Sequence, residues 1–150
     1  MNRIIRLVSG FFFVLLMAGC GVASSHNVMA PTDPTTGAST PLQGTNWQLA
    51  SFVENGVVTA LAPETSIPMS ITDGVLHAKP CNTVSGPVAI DGTSFKPGQL
   101  VSTMMMCFGD QGDQEARFIG TLSDVTQSEI NGGTLTLSTS DGRALVFRAE

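Results

Sequence analysis

A recurring two-residue turn signal divides most of this chain into short segments. Asn-Gly or Asp-Gly occurs five times, at residues 55–56, 73–74, 91–92, 131–132 and 141–142. These dipeptides supply the positive φ angles that tight hairpin turns require. The segments between them alternate apolar and polar residues, as in 47–52, or are apolar and β-branched, as in 145–147. The pattern predicts antiparallel strands arranged as a meander or small barrel.

One segment departs from this strand pattern. Its larger side chains recur at helical spacing, at Glu115, Phe118, Ile119 and Leu122. We expect a helix over about 113–123 whose Phe118 and Leu122 face the core, with Asp110 or Asp113 capping its start. The predicted fold class is therefore mainly β (α+β), an antiparallel sheet or small partly closed barrel with one covering helix.

The first 19 residues have the organisation of an export signal. Two arginines precede an almost wholly apolar run at 7–17. This run is about half of the roughly 20 residues that a membrane-spanning helix needs, which predicts a signal peptide over 1–19. Residues 17–20 (Met-Ala-Gly-Cys) resemble a lipobox, in which Cys20 receives a diacylglyceryl group and becomes the first mature residue. The alternatives are an ordinary signal peptide with a chance cysteine, or a buried cytosolic helix.

The segment after the lipobox has the composition of a tether. Residues 21–41 show no apolar period and contain three prolines. We assign 20–41 to a lipidated N-terminus and flexible tether, and 42–150 to the folded domain. Such a chain attaches to a membrane through the lipid on Cys20, on the extracytoplasmic side. Gly21 allows sorting to the outer membrane in a Gram-negative host, and otherwise the chain lies on the outer face of the cell membrane.

Charge excludes one class of partner. The leader contains two of the 7 Lys/Arg residues and none of the 12 Asp/Glu residues, so the mature chain is more acidic than the formal −5 of the whole. Nucleic-acid binding needs clustered basic residues that neutralise phosphates, and the sequence has no such patch. Charged residues make up only 13% of the chain. This composition, rich in Thr, Val and Gly, is typical of β structure.

Two cysteines remain once Cys20 carries lipid, namely Cys81 and Cys107. An even pair in an oxidising compartment most simply forms a disulfide. Closing a loop of this length contributes about 3–4 kcal/mol in the chain-entropy description. Two buried free thiols are the alternative.

Several segments, in the same order along the chain, resemble the META domain family, the fold unit of HslJ-like heat-shock proteins and many bacterial lipoproteins. They are the opening 42–49 with Trp47, Cys81-Asn82 followed by Gly86, the Thr-x-Met-x-Cys motif of Thr103, Met105 and Cys107, the helix around Glu115, and the closing hairpin with 133–137, 142 and 145–147. The likeness spans about 42–148. It implies structural roles for these residues, and it implies a link to envelope stress, motility and antibiotic tolerance, without established enzymatic chemistry.

The resemblance also suggests how the motifs act together. If the strands bearing Cys81 and Cys107 are adjacent, a disulfide pins them, Asn82 satisfies nearby backbone groups, and Gly86 permits a bulge or turn. Pro80 stands where the family usually has glycine. Because proline has no N–H, we expect altered strand pairing there.

Catalytic and metal sites have little support in the sequence. Met104 to Met106 with Cys107 invite a copper(I) hypothesis, with His77 as a further ligand, since thioethers and thiolates are soft ligands. The simpler interpretation is a strand that places Met104 and Met106 on one face and Met105 and Cys107 on the other. No nucleophile motif or zinc-protease motif occurs. We therefore predict no catalytic residues, no metal and no cofactor.

Three functional hypotheses follow. The first is a membrane-anchored, non-catalytic binding or structural domain that acts on an envelope protein or cell-wall component, in stress tolerance. The second is a carrier or sensor of a small apolar ligand in a barrel cavity lined by Phe52, Ile71, Leu76, methionines and Phe147. The third is an inhibitor of periplasmic enzymes.

Overall fold

The turn dipeptides join consecutive strands. In the computed structural model, which describes residues 41–150, all five lie at hairpin turns between neighbouring strands. Asn55 and Asp73 both have φ of 51°, and the following Gly56 and Gly74 have φ of 79° and 73°. Two successive residues in this left-handed region twist the backbone in the sense that matches the flanking strands. The turn chemistry thus accounts for the hairpins.

The strands form a closed antiparallel barrel. They are β1 (Asn46–Glu54), β2 (Val57–Ala60), β3 (Pro68–Thr72), β4 (Val75–Ala78), β5 (Val84–Asp91), β6 (Ser94–Pro97), β7 (Val101–Ser102), β8 (Val125–Asn131), β9 (Thr134–Thr139) and β10 (Arg143–Ala149). Eight of them pair in the order β1-β10-β9-β8-β6-β5-β4-β3, and β3 pairs with β1 to close the ring. β2 extends from β1 and β7 pairs only with β5. The mainly β prediction is confirmed, and the barrel is closed rather than partly open.

Strand β1 contains an irregularity in its alternation of buried and exposed residues. Trp47, Leu49 and Phe52 are all buried, although strict alternation would turn Phe52 away from the other two. The pairing of β1 with β10 shifts between Leu49 and Ser51, which is a β-bulge. One extra residue at a bulge reverses the alternation, so all three aromatic and aliphatic side chains face inward.

The barrel interior is filled by large apolar side chains. Trp47, Phe52, Phe95, Phe118 and Phe147 are among the largest fully buried ones. Of the residues proposed above to line a ligand cavity, Phe52, Ile71, Leu76 and Phe147 belong to the same packed cluster, and the last three have 0% exposure. These side chains form the packed core of the barrel rather than the wall of a cavity.

Residues 41–150 contain one helix, α1 (Asp110–Ser123), which precedes β8 and covers the barrel. It begins three residues earlier than predicted, and neither Asp110 nor Asp113 caps it. Gly109 occupies the N-cap without a side-chain bond, while both acids lie in the first turn, where the helix dipole favours them. Phe118 and Leu122 are buried as expected, and the Phe118 ring meets Phe147 edge-on with centroids 6.4 Å apart.

The predicted signal peptide over 1–19, the lipidated Cys20 and nearly all of the tether 20–41 lie outside the described residues. Within 41–150, the one helix is neither long enough nor apolar enough to cross a membrane.

Candidate functional site

The two cysteines of the motifs form a disulfide between two loops. Cys81 lies between β4 and β5, Cys107 lies between β7 and α1, and their sulfurs are bonded at 2.04 Å. The condition that the two cysteines lie on adjacent strands is not met, because β4 ends at Ala78, two residues before Pro80, and β7 ends at Ser102. Since proline has no N–H, it favours this departure from the ladder. The disulfide therefore fastens a loop to the barrel.

Asn82 is the centre of the hydrogen bonds around the disulfide, and only 4% of its surface is exposed. Its Oδ1 accepts a bond from the Met105 N–H at 2.6 Å and from the Thr103 hydroxyl at 2.9 Å. Its Nδ2 donates to the Met105 carbonyl at 3.1 Å and to Glu115 Oε1 at 3.0 Å. A buried side chain with its donors and acceptors filled holds its neighbours in one arrangement.

Glu115 connects this network to α1. Its Oε2 accepts a bond from the Asn82 backbone N–H at 2.8 Å and lies 3.2 Å from Cys107 Sγ. A disulfide sulfur carries no proton, so the second contact is a close approach rather than a hydrogen bond. The carboxylate is half-buried, and within residues 41–150 its hydrogen-bond donors are the neutral backbone and side-chain amides of Asn82. The helix is thus fixed to both loops through one acidic side chain.

Thr103 connects the segment after β7 to Thr83 through two further hydrogen bonds. The Thr83 N–H donates to its Oγ1 at 3.0 Å, and the Thr103 N–H donates to the Thr83 carbonyl at 3.1 Å. Residues 103–108, which we name the methionine loop, are not a strand, so the predicted two-faced arrangement of Met104 to Cys107 was wrong. Instead the loop presents its side chains to solvent: Met104 is 98% exposed, Met106 77% and Phe108 74%.

Two of the family-motif residues lie away from this cluster. Trp47 is fully buried in β1, and its indole N–H donates to the Leu42 carbonyl at 3.1 Å. Gly86 lies within β5 rather than at a bulge or turn, which corrects the prediction. A Cβ at Gly86 would lie 2.7 Å from the Gln99 carbonyl oxygen and 2.8 Å from Leu100 Cδ2. Its role is close packing of the segment that leads to the methionine loop.

A groove runs beside the disulfide along α1, and we name it the helix groove. It is lined by Asn82, Met105, Cys107, Gly112, Glu115, Ala116, Ile119 and Gly120, and its volume is about 490 Å³. Gly112, Ala116 and Gly120 recur every four residues and so form one small-residue face of the helix. A Cβ built at Gly120 meets no atom within 4 Å, so the groove is open there.

The donor set beside the groove does not suit a soft metal in this oxidation state. The sulfurs of Cys81 and Cys107 and a Glu115 oxygen lie within 4.8 Å of one another. Zinc and copper(I) bind thiolates, however, and both sulfurs are joined in the disulfide. His77 is exposed on β4 and lines a separate groove with Met69 and Lys79, so the structure does not bring it to these residues.

Several site residues could not be found from the sequence. Arg117 bonds Glu54 Oε1 at 2.8 Å, and its guanidinium lies 4.6 Å from the Phe52 ring centroid, which ties α1 to the end of β1. Gln114 accepts the Ala62 N–H at 3.0 Å. Both side chains bond residues more than fifty positions away, so no local sequence pattern predicts these contacts. The Gly-x₃-Ala-x₃-Gly spacing of the groove, in contrast, was visible in the sequence.

Comparison with protein families gives one match that spans this whole barrel. The META domain family model matches residues 40–150, which include every strand, the helix and the disulfide. No curated protein matches the chain.

Solved structures share the fold at low sequence identity. A solution NMR structure of a protein from Burkholderia xenovorans has 19% identity and a TM-score of 0.64, and the match covers 81% of this chain and 99% of that one. A second NMR structure has 21% identity and a TM-score of 0.56, covering 71% and 90%. A crystal structure of a DUF4847 family protein from Bacteroides vulgatus has 13% identity and a TM-score of 0.54, covering 71% and 93%. At these identities the likeness concerns the fold alone.

Proposed function

The chain belongs to the META domain family, and from this premise we propose that it is a lipid-anchored lipoprotein of the cell envelope whose barrel is a non-catalytic binding module. Its location rests on the lipobox at Cys20 and on the two remaining cysteines. The Cys81–Cys107 disulfide supports an oxidising compartment, because cytosolic thiols are kept reduced. The HslJ-like resemblance is consistent with membership of the META domain family.

One observation carries the binding role: a fixed loop with exposed apolar side chains. The methionine loop is fastened by the disulfide, by Asn82 and by Thr103, yet Met104, Met106 and Phe108 remain largely exposed. Exposed apolar patches on soluble domains commonly mark interaction sites. A fixed loop also loses little conformational entropy on binding. These features support a recognition surface.

The chemistry of the cluster supports a non-catalytic role. The eight residues of the described part of the chain that line the helix groove offer an amide, a carboxylate, a thioether and a disulfide sulfur, but neither an imidazole nor a hydroxyl. Nucleophilic catalysis needs a nucleophile with an adjacent base, and general acid–base catalysis is most often carried by histidine. We therefore keep the binding role and propose no reaction.

The alternatives have less support. An apolar-ligand carrier needs interior space, whereas Phe52, Ile71, Leu76 and Phe147 pack into the core. Inhibition of an envelope enzyme remains a special case of the binding role, with the methionine loop as the contact. The process we propose is envelope stress tolerance, which follows from the family association. A deletion strain that survives envelope-damaging agents as well as the parent would contradict it.

The anchoring is tested by Cys20→Ser. We expect the wild-type chain to sediment with membranes, and the variant either to accumulate unprocessed or to be released, because two or three acyl chains give durable attachment. Ser24→Ala, four residues downstream, is the matched control and should behave as wild type. A Cys20→Ser chain that matures and sediments like the wild type would show that the anchor is elsewhere.

A further inference from the structure

We propose that the helix groove and the methionine loop together dock a segment of a partner protein that carries a basic side chain beside apolar ones. This inference rests on the proposed binding function and names the chemistry of the partner. The two surfaces are continuous, because Met105 and Cys107 belong to the loop and also line the groove.

The loop supplies the apolar part of the surface. Met104, Met105, Met106 and Phe108 are 98%, 59%, 77% and 74% exposed. Methionine side chains are flexible and polarisable, so they adapt to apolar partners of different shape. Burial of such side chains removes apolar surface from water and supplies most of the favourable free energy of association. The segment that docks must therefore carry apolar side chains.

The helix groove fits the main chain or a narrow face of that segment. Gly112, Ala116 and Gly120 lie on one face of α1; the Cys107 carbonyl oxygen already lies 3.1 Å from a Cβ built at Gly112, so the open part of this face is at the exposed Ala116 and Gly120. Small residues at such spacing let another backbone approach a helix closely. The groove is open at Gly120 and continues onto the methionine loop through Met105 and Cys107, which suits a helix or an extended strand better than a compact small molecule.

Charge determines the remaining feature of the partner. Among residues 41–150, Glu115 is the only charged residue that lines the helix groove, and Asp110 and Asp113 are exposed in the first turn of α1. The nearest arginine on α1, Arg117, is paired with Glu54. The groove end is thus acidic without a cation among the residues that line it. Complementary potentials favour a partner with Lys or Arg.

The same charges argue against the membrane as occupant. Bacterial membranes carry anionic lipids, and basic residues supply the attraction of a protein surface to them. The methionine loop has no Lys or Arg, and acids follow it at Asp110 and Asp113. A basic protein segment satisfies both the apolar and the acidic parts of the surface.

In-cell photocrosslinking tests this proposal. Met104 is replaced by p-benzoylphenylalanine in the full chain in its host, and the adduct is identified by mass spectrometry. We expect a protein adduct whose crosslinked peptide contains Lys or Arg within about one helical turn of apolar residues. The same probe at Gln127, exposed on β8, controls for random collisions and should not give this adduct.

Two substitutions at Gly120 make the test specific to the groove. Gly120→Arg fills the groove with a cation and should lower the adduct yield about tenfold, whereas Gly120→Ala should leave it within roughly twofold. Both side chains enter open space on a helix, so both variants should fold. An adduct with lipid, with a second copy of this chain or with an acidic segment would overturn the proposal, as would no adduct or one insensitive to Gly120→Arg. Fractionation of Cys20→Ser reports separately on the proposed anchoring.

Discussion

Asn82 is the single side chain on which the arrangement of the candidate site depends most. It links the Met105 backbone, the Thr103 hydroxyl and the Glu115 carboxylate from a nearly fully buried position. The pairing of Cys81-Asn82 with the Thr-x-Met-x-Cys motif suggested that these residues act as a unit. The sequence could not show that the amide bonds both the methionine loop and the helix, because those contacts span more than twenty residues and depend on the barrel.

Replacement of Asn82 by Ala should lower the free energy of unfolding by about 3 kcal/mol, because the Met105 N–H and the Glu115 carboxylate lose buried partners. Chemical denaturation of the full chain with its disulfide intact measures this. Asn46→Ala, at an exposed position of β1, is the control and should change stability little. Equal unfolding midpoints for the Asn82 and Asn46 variants would contradict the role assigned to the amide.

Replacement of glycine by alanine should change the free energy of unfolding in opposite directions at Gly86 and Gly120. Gly86→Ala should destabilise by about 1–3 kcal/mol, because the new methyl group would overlap the Gln99 carbonyl and Leu100. Gly120→Ala should stabilise by about 1 kcal/mol, because it raises helix propensity in open space. Thermal unfolding of the two variants side by side measures both signs. Stabilisation by both substitutions would contradict the close packing around Gly86.

At the level of elements, hairpin positions could be predicted from sequence and helix limits only partly. Turn dipeptides act locally, so their chemistry is visible in two residues. The start of α1 depends on Gly109 and on backbone contacts of the preceding loop, which lack a periodic signal. The bulge in β1 likewise follows from its pairing with β10, whereas the missing N–H of Pro80, two residues after the end of β4, was visible in the sequence. Closure of the barrel is a long-range property of β1, which pairs with both β10 and β3.

The β9–β10 hairpin carries a charge cluster with a defined pH dependence. The Arg143 guanidinium and the Thr139 hydroxyl bond the Asp141 carboxylate and lower its pKa from 3.8 to about 2. Arg143 also bonds Asp124, at the end of α1, at 2.6 Å. A lowered pKa in the folded state means that the stabilisation is complete above pH 3.8 and is lost as pH falls towards 2.

We therefore expect Asp141→Asn to remove part of the decline in melting temperature between about pH 4 and pH 2, with a modest effect because the pair is exposed. The variant keeps an Asn-Gly turn, so the hairpin itself should persist. Asp91→Asn makes the same change in the β5–β6 turn and serves as control. A melting profile of Asp141→Asn that is parallel to the wild type from pH 6 to pH 2 would show that the cluster contributes nothing.

At the scale of the whole molecule, the disulfide joins the barrel to the surface that we propose for binding. Its 26-residue separation closes the segment that contains β5, β6 and β7. The cysteine count and the export signal predicted the bond, whereas its position between two loops became visible only with the topology. The filled interior could not be distinguished from a ligand cavity by sequence, since the same apolar residues serve both.

Loss of the disulfide should therefore have two separable effects. The Cys81→Ser/Cys107→Ser variant should lose about 3 kcal/mol of unfolding free energy, since the unfolded chain regains the freedom of the closed loop. Hydrogen exchange should also rise selectively in residues 103–108, because the methionine loop loses its covalent attachment. Amides of β10 serve as the internal reference. Unchanged exchange in the methionine loop would mean that Asn82 and Thr103 hold it without the covalent bond.

We propose above all that this chain is an exported, lipid-bearing META domain with an oxidised cysteine pair. Its most direct test is the intact mass of the chain isolated from its host, measured after alkylation with and without prior reduction. We predict a chain that begins at an acylated Cys20 and takes up two alkyl groups only after reduction. A chain that still begins at Met1, without lipid and with all three thiols alkylated before reduction, would contradict the claim.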